Sequence, residues 1–143
     1  MSDVLLLDSG PLGLITQPQR SLHASARVFV PAIVYYEIKR ELLRANKVIG
    51  VARLDAFVNA APDRYVPLTD DALRFAAELW AQARRAGRPT ADPAALDVDV
   101  LLAAQALRLA SSPVIATTKP KHLSQFVPAQ LRTDIAPSIF ADP

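Results

Sequence analysis

Apolar and polar positions along this chain fall into blocks, not single alternating steps. Val4 to Leu7 is an unbroken apolar run closed by Asp8-Ser-Gly-Pro11. A short run closed by turn formers predicts a strand buried on both faces, with Pro11 opening a short helix. Residues Gln17 to Ala26 are polar and lack a clear period, as expected of a loop or ragged helix. Val28-Phe-Val30 is a second short strand, and Pro31 starts a helix running from about Ala32 to Asn46. Its apolar stripe is Val34, Ile38, Leu42 and Ala45. Gly50 interrupts, and Val51 to Ala61 is read as the next helix, with Leu54, Phe57 and Val58 inward. Pro62-Asp63 is a turn and Tyr65 to Leu68 a strand. Thr69 then caps a helix with Ala72 just inside it and a stripe of Leu73, Ala76, Ala77, Trp80 and Ala83. That helix ends at Arg84-Arg85-Ala86-Gly87, basic residues followed by glycine.

The most telling block follows the turn-rich loop from Arg88 to Pro93. Ala94 to Leu107 is apolar nearly all round, which predicts a buried helix, yet it carries Asp97 and Asp99 near its start. Val114-Ile-Ala116 is the next strand, ending in Thr117-Thr118-Lys119-Pro120. Lys121 to Phe126 suits a short helix, and a last strand is expected near Asp134-Ile-Ala136 before a proline-bearing tail. Strands alternating with helices predict an α/β fold of three layers, α/β/α, around a mainly parallel sheet of about five strands. No repeat, low-complexity tract or linker divides residues 1–143, so one domain is expected.

Composition narrows the class. At 143 residues, 51% hydrophobic and 21% charged, the chain is long and apolar enough for one globular core. It has no cysteine, which excludes a disulfide scaffold, a thiolate metal site and a cysteine nucleophile. No stretch reaches the roughly 20 apolar residues of a spanning helix, and the N-terminus lacks the layout of a signal peptide. A soluble, cytoplasmic protein with no membrane partner is the expectation. A formal charge of +2 is too mild by itself to imply nucleic acid.

The acids carry the chemistry. Asp8 falls at the carboxyl end of the first strand, the edge where open α/β sheets bind ligands; it is also suited to capping a helix before Gly10-Pro11. Glu37 adjoins the Val34/Ile38 stripe, with a rim ion pair to Lys39 or Arg40 as the alternative role. Asp97 and Asp99 would point roughly 200° apart if both were helical, so they converge only if Asp97 lies at or before the first turn. Asp97 then has an N-cap as its plain alternative, and Asp99 a dipole-answering first-turn acid. Thr117 and Thr118 end a strand at the same edge as Asp8, where turn chemistry is their alternative role. Carboxylates gathered in this way stay ionised around a divalent cation, and oxygen-only donors favour Mg²⁺, with Mn²⁺ as the other option. Such an ion activates water for attack at phosphorus.

These motifs together resemble the PIN-domain ribonucleases, of the kind found as VapC-type toxins of VapBC toxin–antitoxin pairs. The resemblance rests on Val4-Leu-Leu-Leu-Asp8-Ser, Val30-Pro-Ala-Ile-Val-Tyr-Tyr-Glu37, Leu96-Asp-Val-Asp-Val-Leu-Leu-Ala-Ala-Gln-Ala106 and Val114-Ile-Ala-Thr-Thr118, in that order. It implies a PIN-like fold and a Mg²⁺-dependent endoribonuclease, with Asp8 and Asp99 as the principal metal ligands and Glu37 as the second acid. Asp97 matches an additional acid found in part of the family, and Thr117 or Thr118 the supporting threonine. It also implies an RNA substrate, a small antitoxin partner and a homodimer.

The family often has Asp or Asn two residues after the first threonine, where this chain has Lys119. A protonated lysine cannot ligate a cation; it can replace a second metal's charge or hold a substrate phosphate. Lys39 and Arg40 are further candidates for the RNA backbone, within a basic group that includes Arg44 and Lys47. Lys121 and His122 follow the threonines, and Arg84, Arg85 and Arg88 form a third group; solvated helix faces are the ordinary reading of all three. His122 reads as a surface or capping residue. Tyr35, Tyr36, Phe57 and Trp80 could supply partner contacts or core. Two other functions stand beside the nuclease. Lys119 motivates a catalytically weak or inactive PIN-like RNA- or protein-binding module. The Thr117-Thr118-Lys119-Pro120 run invites comparison with receiver-like phosphoacceptor domains, but those need an acidic pair after the first strand, and Asp8 stands alone.

Overall fold

The structure is a computed structural model that describes residues 4–17, 28–94, 96–118 and 120–131. Its elements are β1 (Val4–Leu7), α1 (Ser9–Ile15), β2 (Val28–Pro31), α2 (Ala32–Arg44), α3 (Val48–Asn59), β3 (Tyr65–Val66), α4 (Asp70–Arg85), α5 (Val98–Leu109), β4 (Pro113–Thr117), α6 (Pro120–Leu123) and β5 (Ala129–Leu131). The five strands form one sheet in the order β3-β2-β1-β4-β5, and every pairing is parallel.

The sheet order follows from burial. All four residues of β1 are buried, and so are all four of β2. Strands without a solvent face belong at the centre, under helices on both sides. Leu6, Leu7, Val30, Ile115 and Leu102 are fully buried in the common core, each stabilising the fold by about 1.5–3 kcal/mol relative to exposure. From β1 the chain moves outward to β2 and β3, then returns to the other flank of β1 as β4. The carboxyl ends of β1 and β4 therefore open onto a topological switch point.

Several local expectations shift. The first helix starts at Ser9, so Pro11 is its third residue; Asp8 caps it by accepting from the Ser9 N–H at 2.7 Å. Gly50 does not break a helix. It lies buried in the first turn of α3, where an added Cβ would come within 2.8 Å of Leu42 Cδ2. The break before it is made by Asn46 in the left-handed region, φ 55°. The N–H groups of Asn46 and Lys47 donate to Leu43 and Leu42 carbonyls at 3.1 and 2.9 Å, closing α2 in a Schellman pattern. The third strand is only two residues long. In α4 the buried stripe is Ala72, Ala76, Leu79 and Ala83; Ala76 and Ala83 are inward as expected and Trp80 packs partly buried on the core, whereas Leu73, 45% exposed, and Ala77 face outward.

The buried helix begins at Val98, not Ala94. Upstream, the Asp92 carboxylate takes the Ala94 N–H at 2.9 Å, a local turn that competes with helix. Near the C-terminus the short helix stops at Leu123. The fifth strand is Ala129–Leu131, recruited by parallel pairing with β4 through Ile115 and Ala129. The strand expected near 134–136, the ragged segment 18–26 and Lys119 lie outside the described residues.

One buried polar residue joins distant elements. Gln105, 2% exposed on apolar α5, donates from Nε2 to the carbonyls of Val66 and Pro67 at 2.9 and 3.1 Å. Its Oε1 accepts from the Ile33 N–H at 3.4 Å. Pro31, at the N-cap of α2, has no side chain able to serve that end, so α5 supplies an acceptor from 72 residues away.

Candidate active site

Asp8 stands where the topology places it, at the carboxyl end of β1. Its N–H donates to the Ala116 carbonyl at 2.9 Å, which continues the β1–β4 ladder to the last turn before α1. Its carboxylate then receives two donors. Ser9 N–H reaches Oδ1 at 2.7 Å, and the Thr117 hydroxyl reaches Oδ2 at 2.7 Å. Thr117 is fully buried at the end of β4, so this bond joins the two central strands across the switch point. A carboxylate has about four lone-pair sites, so both oxygens of Asp8 keep capacity for a further partner. Thr118 plays a different part. It is exposed, yet a Cβ on Gly10 would sit 2.7 Å from its Cγ2. Glycine at position 10 lets the first turn of α1 lie against the strand end.

Asp97 and Asp99 separate as the helical geometry requires. Asp97 is the N-cap of α5, accepting from Val100 N–H at 3.2 Å through Oδ1. Its other oxygen accepts from the Thr90 hydroxyl at 2.5 Å, which fastens the preceding loop. Asp99 is a first-turn acid with its side chain 27% exposed. Burial pushes its carboxyl above the ordinary range, and the negative charges of Asp8 and Asp97 push it further; the opposing influence comes from His122. His122 Nδ1 lies 3.5 Å from Asp99 Oδ2. The sequence offered His122 a surface or capping role within a basic group, and not this contact, which depends on how α6 folds back over the start of α5.

Glu37 lies half-buried on α2 and has no ion-pair partner among the described residues; it is not one of the charges acting on Asp99. Its expected neighbours are engaged elsewhere. Lys39 donates to Asp55 Oδ2 at 2.8 Å and to the Tyr35 hydroxyl at 3.2 Å. Arg40 lies 5.3 Å from the centre of the Tyr36 ring, and Arg44 pairs with Glu41. In the third basic group, Arg84 donates to the Ala91 carbonyl and lies over Trp80. Phe57 is fully buried core, whereas Tyr36 is 53% exposed.

The donor set suits a hard divalent cation. Asp8 and Asp99 are two carboxylates, which is the protein share usual for Mg²⁺, with waters and substrate phosphate completing its shell. Burial first, and the charges of Asp8 and Asp97 second, raise the Asp99 carboxyl, and such an ion would offset the second of these. Among the described residues, no group of three or more acidic or imidazole side chains is gathered to hold an ion by itself. No helix among them is long and apolar enough to cross a membrane.

No family model matches this sequence, and no curated protein matches it either. Solved structures do. A chain of FitAcB from Neisseria gonorrhoeae superposes with a TM-score of 0.69 at 17% identity, over 92% of this chain and 99% of that one. FitAB bound to an IR36 DNA fragment gives the same TM-score and identity, over 92% and 97%. VapBC-1 from nontypeable Haemophilus influenzae gives 0.64 at 14% identity, over 92% and 99%. The structural neighbours of this chain are FitAB and VapBC toxin–antitoxin complexes, and its fold is the PIN-like fold they share.

Proposed function

We propose that this chain is a Mg²⁺-dependent endoribonuclease, the toxin of a toxin–antitoxin pair. The support for the reading is the charge of Asp8, at the switch point, bearing on the covered carboxyl of Asp99 in a fold shared with FitAB and VapBC chains. Asp8 and Asp99 would hold the cation, whose chemistry when bound is to lower the pKa of a water and offset charge on the scissile phosphate. Thr117 holds the Asp8 carboxylate in one orientation. Asp97 fixes the start of α5 and so the position of Asp99. Glu37, half-buried and free of ion pairs among the described residues, is available as a further acid, and Thr118 borders the same strand end. Lys39, Arg40 and Lys119 are the proposed contacts to the RNA backbone, of which Arg40 has no carboxylate partner among the described residues.

The partner reading has its own support. Gly13, Ile38, Leu42, Ala45, Val48 and Ile49 help line a groove of about 730 Å³ along α1, α2 and the α2–α3 corner. Val48 and Ile49 are 77% and 63% exposed. Apolar residues bared beside a groove suit an amphipathic helix of a protein partner, which here would be the antitoxin. A homodimer and Mn²⁺ as an alternative cation belong to the same proposal.

The decisive assay is cleavage of single-stranded RNA with Mg²⁺ by the wild type, Asp8→Asn and Asp99→Asn proteins. Wild type cleaves with turnover and each variant loses activity by roughly 10²–10⁴-fold, the equivalent of several kcal/mol of metal-derived stabilisation. Cleavage that survives both substitutions, or excess chelator, overturns the reading. Metal-independent RNA binding without turnover would favour the inactive binding module.

A further inference from the structure

We propose that Tyr36 and Arg40 form a stacking platform for an unpaired base, so that this chain takes single-stranded RNA. The proposal rests on the reading above for RNA as the ligand, and deepens it by naming what holds a base.

The platform lies close to the acidic edge. Leu6 of β1 is in register with Phe29 of β2, so Asp8 and Pro31, each two residues further on, reach the carboxyl edge of the parallel sheet on neighbouring strands. Pro31 is the N-cap of α2, and Tyr36 is the fifth residue of that helix. At about 1.5 Å per residue, the tyrosine sits roughly one helical turn from that edge.

Two adjacent tyrosines there have different surroundings. Tyr35 is committed to the fold. Its hydroxyl donates to Asp55 Oδ1 at 2.7 Å and accepts from Lys39 Nζ at 3.2 Å, and its ring meets Tyr65 edge-on with centres 5.5 Å apart. Tyr36 is 53% exposed, and its hydroxyl has no hydrogen-bond partner among the described residues. The Arg40 guanidinium lies 5.3 Å from the centre of its ring. Arg40 is itself exposed and has no carboxylate partner among the described residues.

An open aromatic ring beside an unpaired cation matches the needs of a single strand: the ring stacks on a base and the arginine meets the backbone phosphate. Every base has a π face, so such a platform selects unpaired over duplex RNA without choosing a sequence. A protein helix would need a longer apolar stripe. Leu43, the next exposed large apolar side chain on this face, is two turns away. Neither Tyr36 nor Arg40 lines the apolar groove.

The test is fluorescence anisotropy on the full chain, in excess chelator to prevent cleavage. The probes are a labelled mixed-sequence single-stranded RNA and a labelled abasic oligomer of the same length. Tyr36→Ala is expected to bind the RNA about 5–150-fold more weakly, and the abasic oligomer as wild type does. Tyr36→Phe, which keeps the ring, and Leu43→Ala, on the same face, bind both probes as wild type does. Arg40→Gln weakens both and lowers the slope of log affinity on log salt by about one. With Mg²⁺ present, the Tyr36→Ala loss falls on KM and not on kcat.

Undiminished RNA binding by Tyr36→Ala, an equal loss on the abasic oligomer, an equal loss in Leu43→Ala, or an unchanged salt slope in Arg40→Gln would each overturn the proposal. So would a wild type that binds neither probe. Intact RNA binding with a shifted monomer–dimer equilibrium in Tyr36→Ala would make the ring a contact between copies, and overturn it too. RNA binding with the tyrosine effect but without Mg²⁺-dependent cleavage sinks only the nuclease reading. Mg²⁺-dependent cleavage without the tyrosine effect sinks only the platform.

Discussion

Helices α4 and α5 pack against each other and begin with the same local chemistry. Each has a side-chain oxygen at the N-cap, Thr69 in one and Asp97 in the other, accepting an N–H three residues on at 3.1 and 3.2 Å. Each has an acid in the first turn. There the likeness ends. Asp70 and Asp71 of α4 are exposed, and Asp71 pairs with Arg108 at 2.8 Å on the surface. Asp99 of α5 is largely covered, repelled by Asp8 and Asp97, and among the described residues its ion-pair partner is a histidine. The same sequence signature serves the helix dipole in one place and gathers charge in the other. Environment separates them, and the environment is set by the body of the helix. Polar α4 keeps its acids in water, and apolar α5 carries its acid inward.

The sharpest way to break the contrast is through the helix bodies. Leu102→Ala on α5 removes a fully buried side chain and is expected to cost about 2–5 kcal/mol in denaturant unfolding. Leu73→Ala on α4, where the side chain is 45% exposed, should stay within about 0.5 kcal/mol. Comparable losses would mean that the two helices do not differ in the way described.

Next in size is the support of Asp8. Thr117→Val keeps the shape of a buried side chain and deletes the hydroxyl that donates to Asp8 Oδ2. Loss of an orienting partner of this kind reduces metal affinity or activity by roughly 10–100-fold, read by calorimetry beside cleavage. Thr118→Val, at an exposed position, is expected to change metal affinity far less.

A third prediction concerns pH. The Asp99 carboxyl is raised by burial, then by Asp8 and Asp97, above the 3.8 of a free aspartate. The folded state therefore binds the proton more tightly than the unfolded state. In the metal-free protein this raises stability at low pH and removes that contribution as pH climbs from 3.8 through the raised value. Asp99→Asn should flatten this part of the melting-temperature profile and sit above wild type at neutral pH. A wild-type profile that instead gains stability relative to Asp99→Asn over that window would contradict the assignment. The smallest effect is on α4, where Asp71→Asn should lower stability by about 0.2–1 kcal/mol and lose most of that difference in high salt.

Legibility in the sequence followed the range of the interaction. Asp8, Asp97 and Thr117 were readable because caps and strand ends are local, and the period and order of the blocks put them at one edge of a parallel sheet. The inward stripe of α4 was legible at Ala76 and Ala83 but not at its edge, since Leu73 looks like core until the partner surface fixes the helix rotation. The first turn of α5 was misplaced because the Asp92 turn competes for the backbone just upstream. Ala129–Leu131 has little strand signal of its own and is held by its neighbour. His122 and Gln105 act across folded distance, and nothing adjacent to them announces it. Gln105 left one trace, a single amide in an otherwise apolar helix, and such a residue must find partners or destabilise the core.

The bond between Thr117 and Asp8 also sets a timetable. Its two partners are 109 residues apart. Ribosomes add roughly 5–20 residues per second, so Asp8 precedes its hydroxyl partner by about 5–20 s. Until β4 has been made and has slid in beside β1, a growing chain owns the acids but not the arrangement that unites them. On the proposed reading, the activity would therefore be silent throughout most of the chain's own synthesis, and would begin only when the central sheet closes.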